Sequence, residues 1–174
     1  FSRKHLASLL GKTEPYLRSV TYGTESHYRE FHIPKRTGGR RLIAAPYPAL
    51  LECQQWVSAN VLSAVSTHRC AHGYIKGRSI LSNVEPHAHA AMVLKMDLTD
   101  FFPSISLRRV IHVFRSFGYA DDVSFVLGRI CTLNEKLPQG AATSPMLSNI
   151  IARRLDGRLE GLARKFLLTY SRYA

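Results

Sequence analysis

The sequence predicts an α+β protein, on three observations. Apolar residues recur at helical spacing over most of the 174 residues. Two short extended runs, "YREFHI" (28–33) and "LIAAP" (42–46), flank a basic Gly-Gly turn. A third apolar run, "AMVLKMDL" (91–98), ends in an acid and reads as a buried strand. Strands separated by long helical stretches predict helices packed on one side of a sheet.

Taken in order, "FSRKHLASLLGKTEPYLRSV" has helix-like spacing interrupted at Gly11 and Pro15. Residues 28–33 alternate as a half-buried strand does, and "PKRTGGRR" then turns the chain into a hairpin with a basic tip. From Pro48 to about Ser66 the pattern is helical, carried by Leu51, Trp56, Val57, Leu62 and Val65. Another helix is expected over 78–90, and two more at 106–117 and 122–131. "LPQGAATSP" (137–145) reads as a loop entering a helix over about 145–163, with Ser144 as N-cap and Pro145 in the first turn. "KFLLTYSRY" at the end reads as a strand.

A length of 174 residues suits one domain or one and a fraction, and a hydrophobic share of 45% is enough for a core. Cys53, Cys70 and Cys131 are far apart and odd in number. They point to a reducing compartment and small buried side chains, against a disulfide framework or a zinc site. No apolar run approaches the roughly 20 residues of a membrane span. The N-terminus lacks a signal-peptide layout, and a start at Phe1 points to trimming there. The net charge of +12, from 24 Lys and Arg against 12 Asp and Glu, favours an anionic partner such as a phosphate backbone.

Several residues carry candidate chemistry. Asp97, at the end of the expected strand, is either a hard-cation ligand or a turn acid. Phe101 and Phe102 beside it either wall a nucleotide pocket or join the core. Gly140, Ala141 and Ala142 permit close approach of backbone or ligand, and Gln139 offers both a donor and an acceptor. Lys35, Arg36, Arg40 and Arg41 form either a solvated turn or a grip on a triphosphate. His87-x-His89 has strand-like spacing inside an expected helix and no companion cysteine pair, which argues against zinc. Of two acidic-looking stretches, "GYADDVS" (118–124) follows a helix-stopping glycine and opens an apolar-periodic run. Asp121 and Asp122 therefore read as a helix start, where acids complement the dipole.

The order of basic hairpin, "LKMDLTDFFPSI", "LPQGAATSP" and terminal "YSRYA" resembles the reverse transcriptases, from about residue 27 onward. "NVEPH" (83–87) resembles the Asn-Ala-x-x-His motif of the bacterial retron type, with Val84 in place of Ala. "YSRYA" resembles the lead-in to that family's Tyr-Ala-Asp-Asp box, whose acidic pair is then expected after Ala174. The resemblance implies a right-hand fold: an N-terminal helical segment (1–26), fingers (27–90) and an incomplete palm (91–174), with fingers helices inserted at about 106–135.

It further implies RNA-directed DNA polymerase activity with Mg²⁺, in which Asp97 is the first catalytic carboxylate and Leu98 lends its carbonyl to a metal. Asp100 and Phe101 would lie beneath the incoming dNTP, and Phe102 would exclude a ribose 2′-OH. Gln139 and Gly140 would line the nucleotide pocket, and Arg40 and Arg41 would reach the triphosphate, with the main contact left open between them. Asn83 and His87 would belong to an RNA-handling surface. A structured non-coding RNA as template and primer, a DNA product, a role in phage defence with an effector protein, and a cytoplasmic location also follow from the resemblance. Two-metal phosphoryl transfer needs several carboxylates, so residues 1–174 alone are expected to be inactive. The rival readings are a group II intron-like or other bacterial reverse transcriptase, and a non-catalytic RNA-binding fragment.

Overall fold

The computed structural model describes residues 2–35 and 38–173. Helix α1 (Arg3–Leu9) is capped by Ser2, whose hydroxyl accepts from the His5 amide, and ends before Gly11 at φ +60°. Thr13 caps α2 (Glu14–Tyr22) in the same way, with Pro15 in the first turn, where no intrahelical N–H is required. Strands β1 (Tyr28–Pro34) and β2 (Arg40–Pro46) pair antiparallel, Tyr28 opposite Pro46 and Pro34 opposite Arg40. Gly38 and Gly39, both at positive φ, turn the chain back into β2 as the Gly-Gly pair predicts. Arg36 and Thr37 lie outside the described residues.

Helix α3 (Pro48–Val57) runs into one π turn over Ser58–Leu62. The stretch at 78–90 is shorter than expected: α4 (Ile80–Val84) and a 3₁₀ turn, Glu85–His87. Pro86 lies inside that turn, and its ring excludes an α-helical continuation there. Helices α5 (Leu107–Ser116), α6 (Asp121–Cys131) and α7 (Ser144–Lys165) agree closely with expectation. Thr143, not Ser144, stands at the N-cap of α7. Ser144 is already helical, and its hydroxyl turns back to donate to the Pro138 carbonyl at 2.7 Å.

The core is mainly helical. Helix α6 lies at its centre, burying Val123, Val126, Leu127, Ile130 and Cys131. It packs on the apolar stripe of α5, formed by Leu107, Val110, Val113 and Phe114 at spacings of three and four. The helices meet closely at Gly128, where a Cβ would come within 2.8 Å of Ile111 and 2.9 Å of Leu107. Asp121 and Asp122 open α6 and pair outward, with Arg115 at 2.8 Å and Arg3 at 3.3 Å. "GYADDVS" is thus a helix start.

Three strand expectations fail. Residues 91–98 are exposed and pair with no strand among the described residues, with Met92 at 89% and Leu94 at 81% exposure. An apolar run becomes a strand only where a ladder partner satisfies its backbone, and none of the described residues supplies one. The end of the chain is likewise no strand, because α7 continues to Lys165 and residues 168–173 make a single parallel bridge, Arg172 to Ala71. In β1 only Tyr28 is buried, because the two-stranded hairpin has little packed against either face. The α+β class stands, with a helical core and a hairpin at its edge in place of helices covering one side of a larger sheet.

All three cysteines are buried and unpaired, and burial pushes Cys53 and Cys70 up to about 11 and Cys131 up to about 12. They are protonated at neutral pH; Cys53 and Cys131 act as small apolar side chains, and the Cys70 thiol donates to Glu160 at 3.2 Å. Gln54 is the one buried polar residue on the core stripe of α3, alongside Leu50, Cys53 and Val57. Its Nε2 donates to the Tyr28 hydroxyl at 2.8 Å and the Ile130 carbonyl at 2.9 Å, and its Oε1 accepts from the Ala142 amide at 3.1 Å.

Gln54→Leu keeps the volume but strands all three partners. We expect a loss of about 3 kcal/mol in urea unfolding, against no more than about 0.5 kcal/mol for exposed Gln55→Ala on the same helix.

Candidate nucleotide site

Three of the sequence-predicted pieces meet beside the hairpin: β2 with Arg40 and Arg41, the turn at 100–105, and the "LPQGAATSP" loop. The turn begins at Asp100, which adopts φ +48°, a conformation short polar side chains tolerate. It closes through Ser104 N–H to the Asp100 carbonyl at 2.9 Å and Ile105 N–H to the Phe102 carbonyl at 2.9 Å. The Ile105 carbonyl then accepts from the Leu137 amide at 3.0 Å, which ties the turn to the loop. Two residues later the Gln139 carbonyl accepts from the Ala44 amide at 2.8 Å, which ties the loop to β2.

Gly140 explains why this junction is close. At φ +119°, a Cβ there would lie 2.6 Å from the Ala44 carbonyl oxygen and 3.1 Å from Ile43 Cγ2. Only glycine lets the loop cross β2 at this distance. The following residues are held by the core: Ala142 N–H donates to Gln54, and the Ser58 hydroxyl donates to the Ala142 carbonyl at 3.3 Å. The loop is therefore preformed, with Gln139 half-buried and Gly140 exposed.

Phe101 and Phe102 are half-buried and pack on the hydrophobic core. Their ring centroids lie 6.1 Å apart, and Phe102 also lies 6.3 Å from Tyr74. These contacts fix the orientation of Phe102 and leave part of its ring accessible. Arg40 and Arg41 are exposed on the strand that Gln139 and Gly140 cross. At about 3.4 Å per residue, Arg41 stands roughly 10 Å along β2 from Ala44.

Asp97 and Leu98 are exposed, just before the turn. The Asp97 carboxylate has the hard oxygen chemistry that suits a divalent cation. Among the described residues it belongs to no cluster of three ligating side chains, so one donor is present and a complete Mg²⁺ site is not. The cluster that does occur, His68, Cys70 and Glu160, offers nitrogen and sulfur donors unsuited to Mg²⁺. Glu160 is engaged by Arg69 at 2.6 Å and Arg164 at 3.4 Å, and the Arg69 hydrogen bond holds its carboxyl below the usual range.

Asn83 and His87 do not join this site. They pack against the terminal segment, where His87 Nε2 lies 2.7 Å from the Ser171 hydroxyl and the Asn83 carbonyl accepts from that hydroxyl at 3.3 Å. Next to them Asp156, fully buried on α7, receives Arg172 in a two-pronged pair at 2.8 and 2.9 Å and the Tyr170 hydroxyl at 2.9 Å. Sequence reasoning passed over both Gln54 and Asp156. The signal was available: each is a polar residue four positions after an apolar one on a buried helical stripe, after Leu50 and Ala152 respectively.

Comparisons with known proteins establish the family. A family profile described as reverse transcriptase (RNA-dependent DNA polymerase) matches residues 33–174. The chain therefore belongs to the reverse transcriptase family. Within it the chain is of the retron type. It is 38% identical over 195 residues to the retron Mx162 reverse transcriptase of Myxococcus xanthus, covering 99% of this chain and 40% of that protein. It is 40% identical over 160 residues to the retron Ec86 reverse transcriptase of Escherichia coli, covering 91% of this chain and 50% of that protein. The retron Mx65 reverse transcriptase of Myxococcus xanthus is also 40% identical, over 85% of this chain and 39% of its own length. The chain thus spans half or less of the length of these relatives.

Gly140→Ala adds both a positive-φ penalty and a clash with backbone, whereas Gly38→Ala adds the φ penalty alone. We expect about 2 kcal/mol or more for the first and about 1 kcal/mol for the second, read as shifts in the denaturant midpoint.

Proposed function

We propose that this chain is the fingers and the first part of the palm of a retron RNA-directed DNA polymerase. The observation that carries this reading is the junction of β2, the 100–105 turn and the Gly140 loop. It gathers exposed arginines, an exposed carboxylate and a half-buried aromatic around a preformed backbone. In this reading Arg40 and Arg41 hold the triphosphate of a dNTP, each offering a planar fork of donors to phosphate oxygens. Gln139 and Gly140 line the nucleotide, whose base and sugar lie over Asp100, Phe101 and Phe102. Phe102, braced by Phe101 and Tyr74, stands against the sugar and disfavours a 2′-OH.

Asp97, with the Leu98 carbonyl, supplies part of the coordination of a divalent ion, Mg²⁺ by the family's chemistry. Such an ion neutralises charge on the phosphates when bound. One carboxylate cannot balance two divalent cations, and Asp121 and Asp122 are committed to arginines at the start of α6. Two-metal phosphoryl transfer therefore calls on acids outside residues 1–174, and this chain by itself is proposed to be inactive. The +12 charge suits a structured RNA as template and primer. A part in phage defence, an effector partner and a cytoplasmic setting belong to the same proposal.

The test is primer extension on an RNA template by a protein of the relatives' length that carries this chain. Asp97→Asn is expected to abolish extension. Asp121→Asn combined with Asp122→Asn should retain most of it, since these acids serve only surface ion pairs. The reverse result, with folding intact, would move the catalytic carboxylate to the other stretch. In the same assay Phe102→Ala is expected to raise ribonucleotide incorporation about tenfold or more relative to dNTP, the discrimination that steric exclusion of one hydroxyl supplies. Unchanged sugar selectivity would remove Phe102 from the pocket.

A further inference from the structure

The segment 169–173 is held by backbone and side-chain interactions together. Its backbone lies parallel to residues 70–72, with Arg172 N–H donating to the Cys70 carbonyl and His72 N–H donating to the Arg172 carbonyl, both at 2.7 Å. The Arg172 side chain is buried on Asp156. The Arg78 guanidinium donates to the carbonyls of Arg69 and Ala71, and so stiffens the strip on which the segment lies. His72 is held in turn by Ser82, 2.9 Å from its Nδ1.

Ser171 faces the other way, into the "NVEPH" stretch. Its hydroxyl lies 3.3 Å from the Asn83 carbonyl, to which it donates, and 2.7 Å from His87 Nε2, where the imidazole tautomer sets which group is the donor. The Asn83 side-chain Oδ1 is buried without a hydrogen-bond partner among the described residues. Asn83 therefore contributes its backbone here and does not present its amide oxygen to solvent. The contacts of Ser171 with Asn83 and His87 make a brace between two half-buried stretches.

We infer that His87 and Ser171 form a positioning joint for the polymerase reaction. Through Ser171, His87 holds Tyr170–Tyr173 in one register against residues 70–87, while the Asp156–Arg172 pair locks the same segment from the α7 side. The inference rests on the function proposed above, in which "YSRYA" leads into the acidic box. A drift of that segment would displace the acidic pair that the resemblance sets after it, which is costly for a reaction that depends on positioning. His87 is thus a positioning residue that acts through a serine hydroxyl.

The experiment compares His87→Ala, Ser171→Ala, the double variant and His87→Gln in the full-length protein. Four quantities are read: RNA affinity, dNTP KM, kcat for extension, and amide hydrogen exchange. Each alanine variant is expected to lower kcat about tenfold, the equivalent of one hydrogen bond, with RNA affinity and KM unchanged. The double variant should be no worse than Ser171→Ala, which already removes the contact to His87 together with the one to the Asn83 carbonyl. His87→Gln, whose side-chain amide can donate to or accept from the Ser171 hydroxyl, should recover most of the rate. The Arg172 and His72 amides should exchange faster in both alanine variants. Weakened RNA binding in His87→Ala alongside wild-type kcat in Ser171→Ala would overturn the joint, as would unchanged exchange in both. If the unmodified protein extends no primer, the polymerase reading fails, and the exchange measurements still decide whether the joint exists.

Discussion

The described structure depends above all on the side-chain amide of Gln54. It sits on a helix stripe that is otherwise apolar, and its three hydrogen bonds reach β1 through Tyr28, α6 through Ile130 and the loop before α7 through Ala142. A buried amide left unpaired costs as much as a lost core contact, so the four elements are constrained to meet in one arrangement. The loop carrying Gln139 and Gly140 is ordered because the backbone just beyond it ends on Gln54. The hairpin carrying Arg40 and Arg41 is anchored because its first residue, Tyr28, ends there too. A polar hub in the core thereby sets the distance between candidate nucleotide contacts that are far apart in sequence.

A second, separate network performs the equivalent task at the other end of the chain. Asp156 and Arg172 are both buried, and a buried pair is weak evidence for stability but strong evidence for a specified geometry when its lone pairs are filled, as Tyr170 fills one here. The two networks differ in character. Gln54 joins neutral groups within the core, whereas Asp156 fixes an exposed segment from beneath. Between them lies the apolar run 91–98, unpaired and largely exposed. Asp97 follows from this run, so its placement is the part of the site that the described residues constrain least.

The clearest case for weighing context over motif is "GYADDVS". Read as a string it carries the two adjacent acids of a metal site. Read by position it follows a glycine at φ +88° and begins the most deeply buried helix of the core. Its acids point outward to Arg3 and Arg115. The helix dipole and two arginines account for both carboxylates, and nothing in their surroundings draws a third ligand.

Local chemistry was legible from the sequence alone. Glycine and proline positions and apolar spacing located α5, α6 and α7 to within a residue or two and marked residues 1–20 as helical without setting the bounds of α1 and α2, because helical hydrogen bonds close within four residues. The Gly-Gly hairpin was legible for the same reason, and so was the order of motifs that marks a reverse transcriptase. Tertiary structure alone decided what depends on distant partners. Whether "AMVLKMDL" and "KFLLTYSRY" become strands rests on a neighbouring ladder, and no spacing within either run can report one. That Gly140 must be glycine follows from the Ala44 carbonyl, some hundred positions away along the chain but in contact in space. That His87 serves a serine at residue 171 was equally hidden, because a hydrogen bond between side chains leaves no periodicity in the chain that makes it.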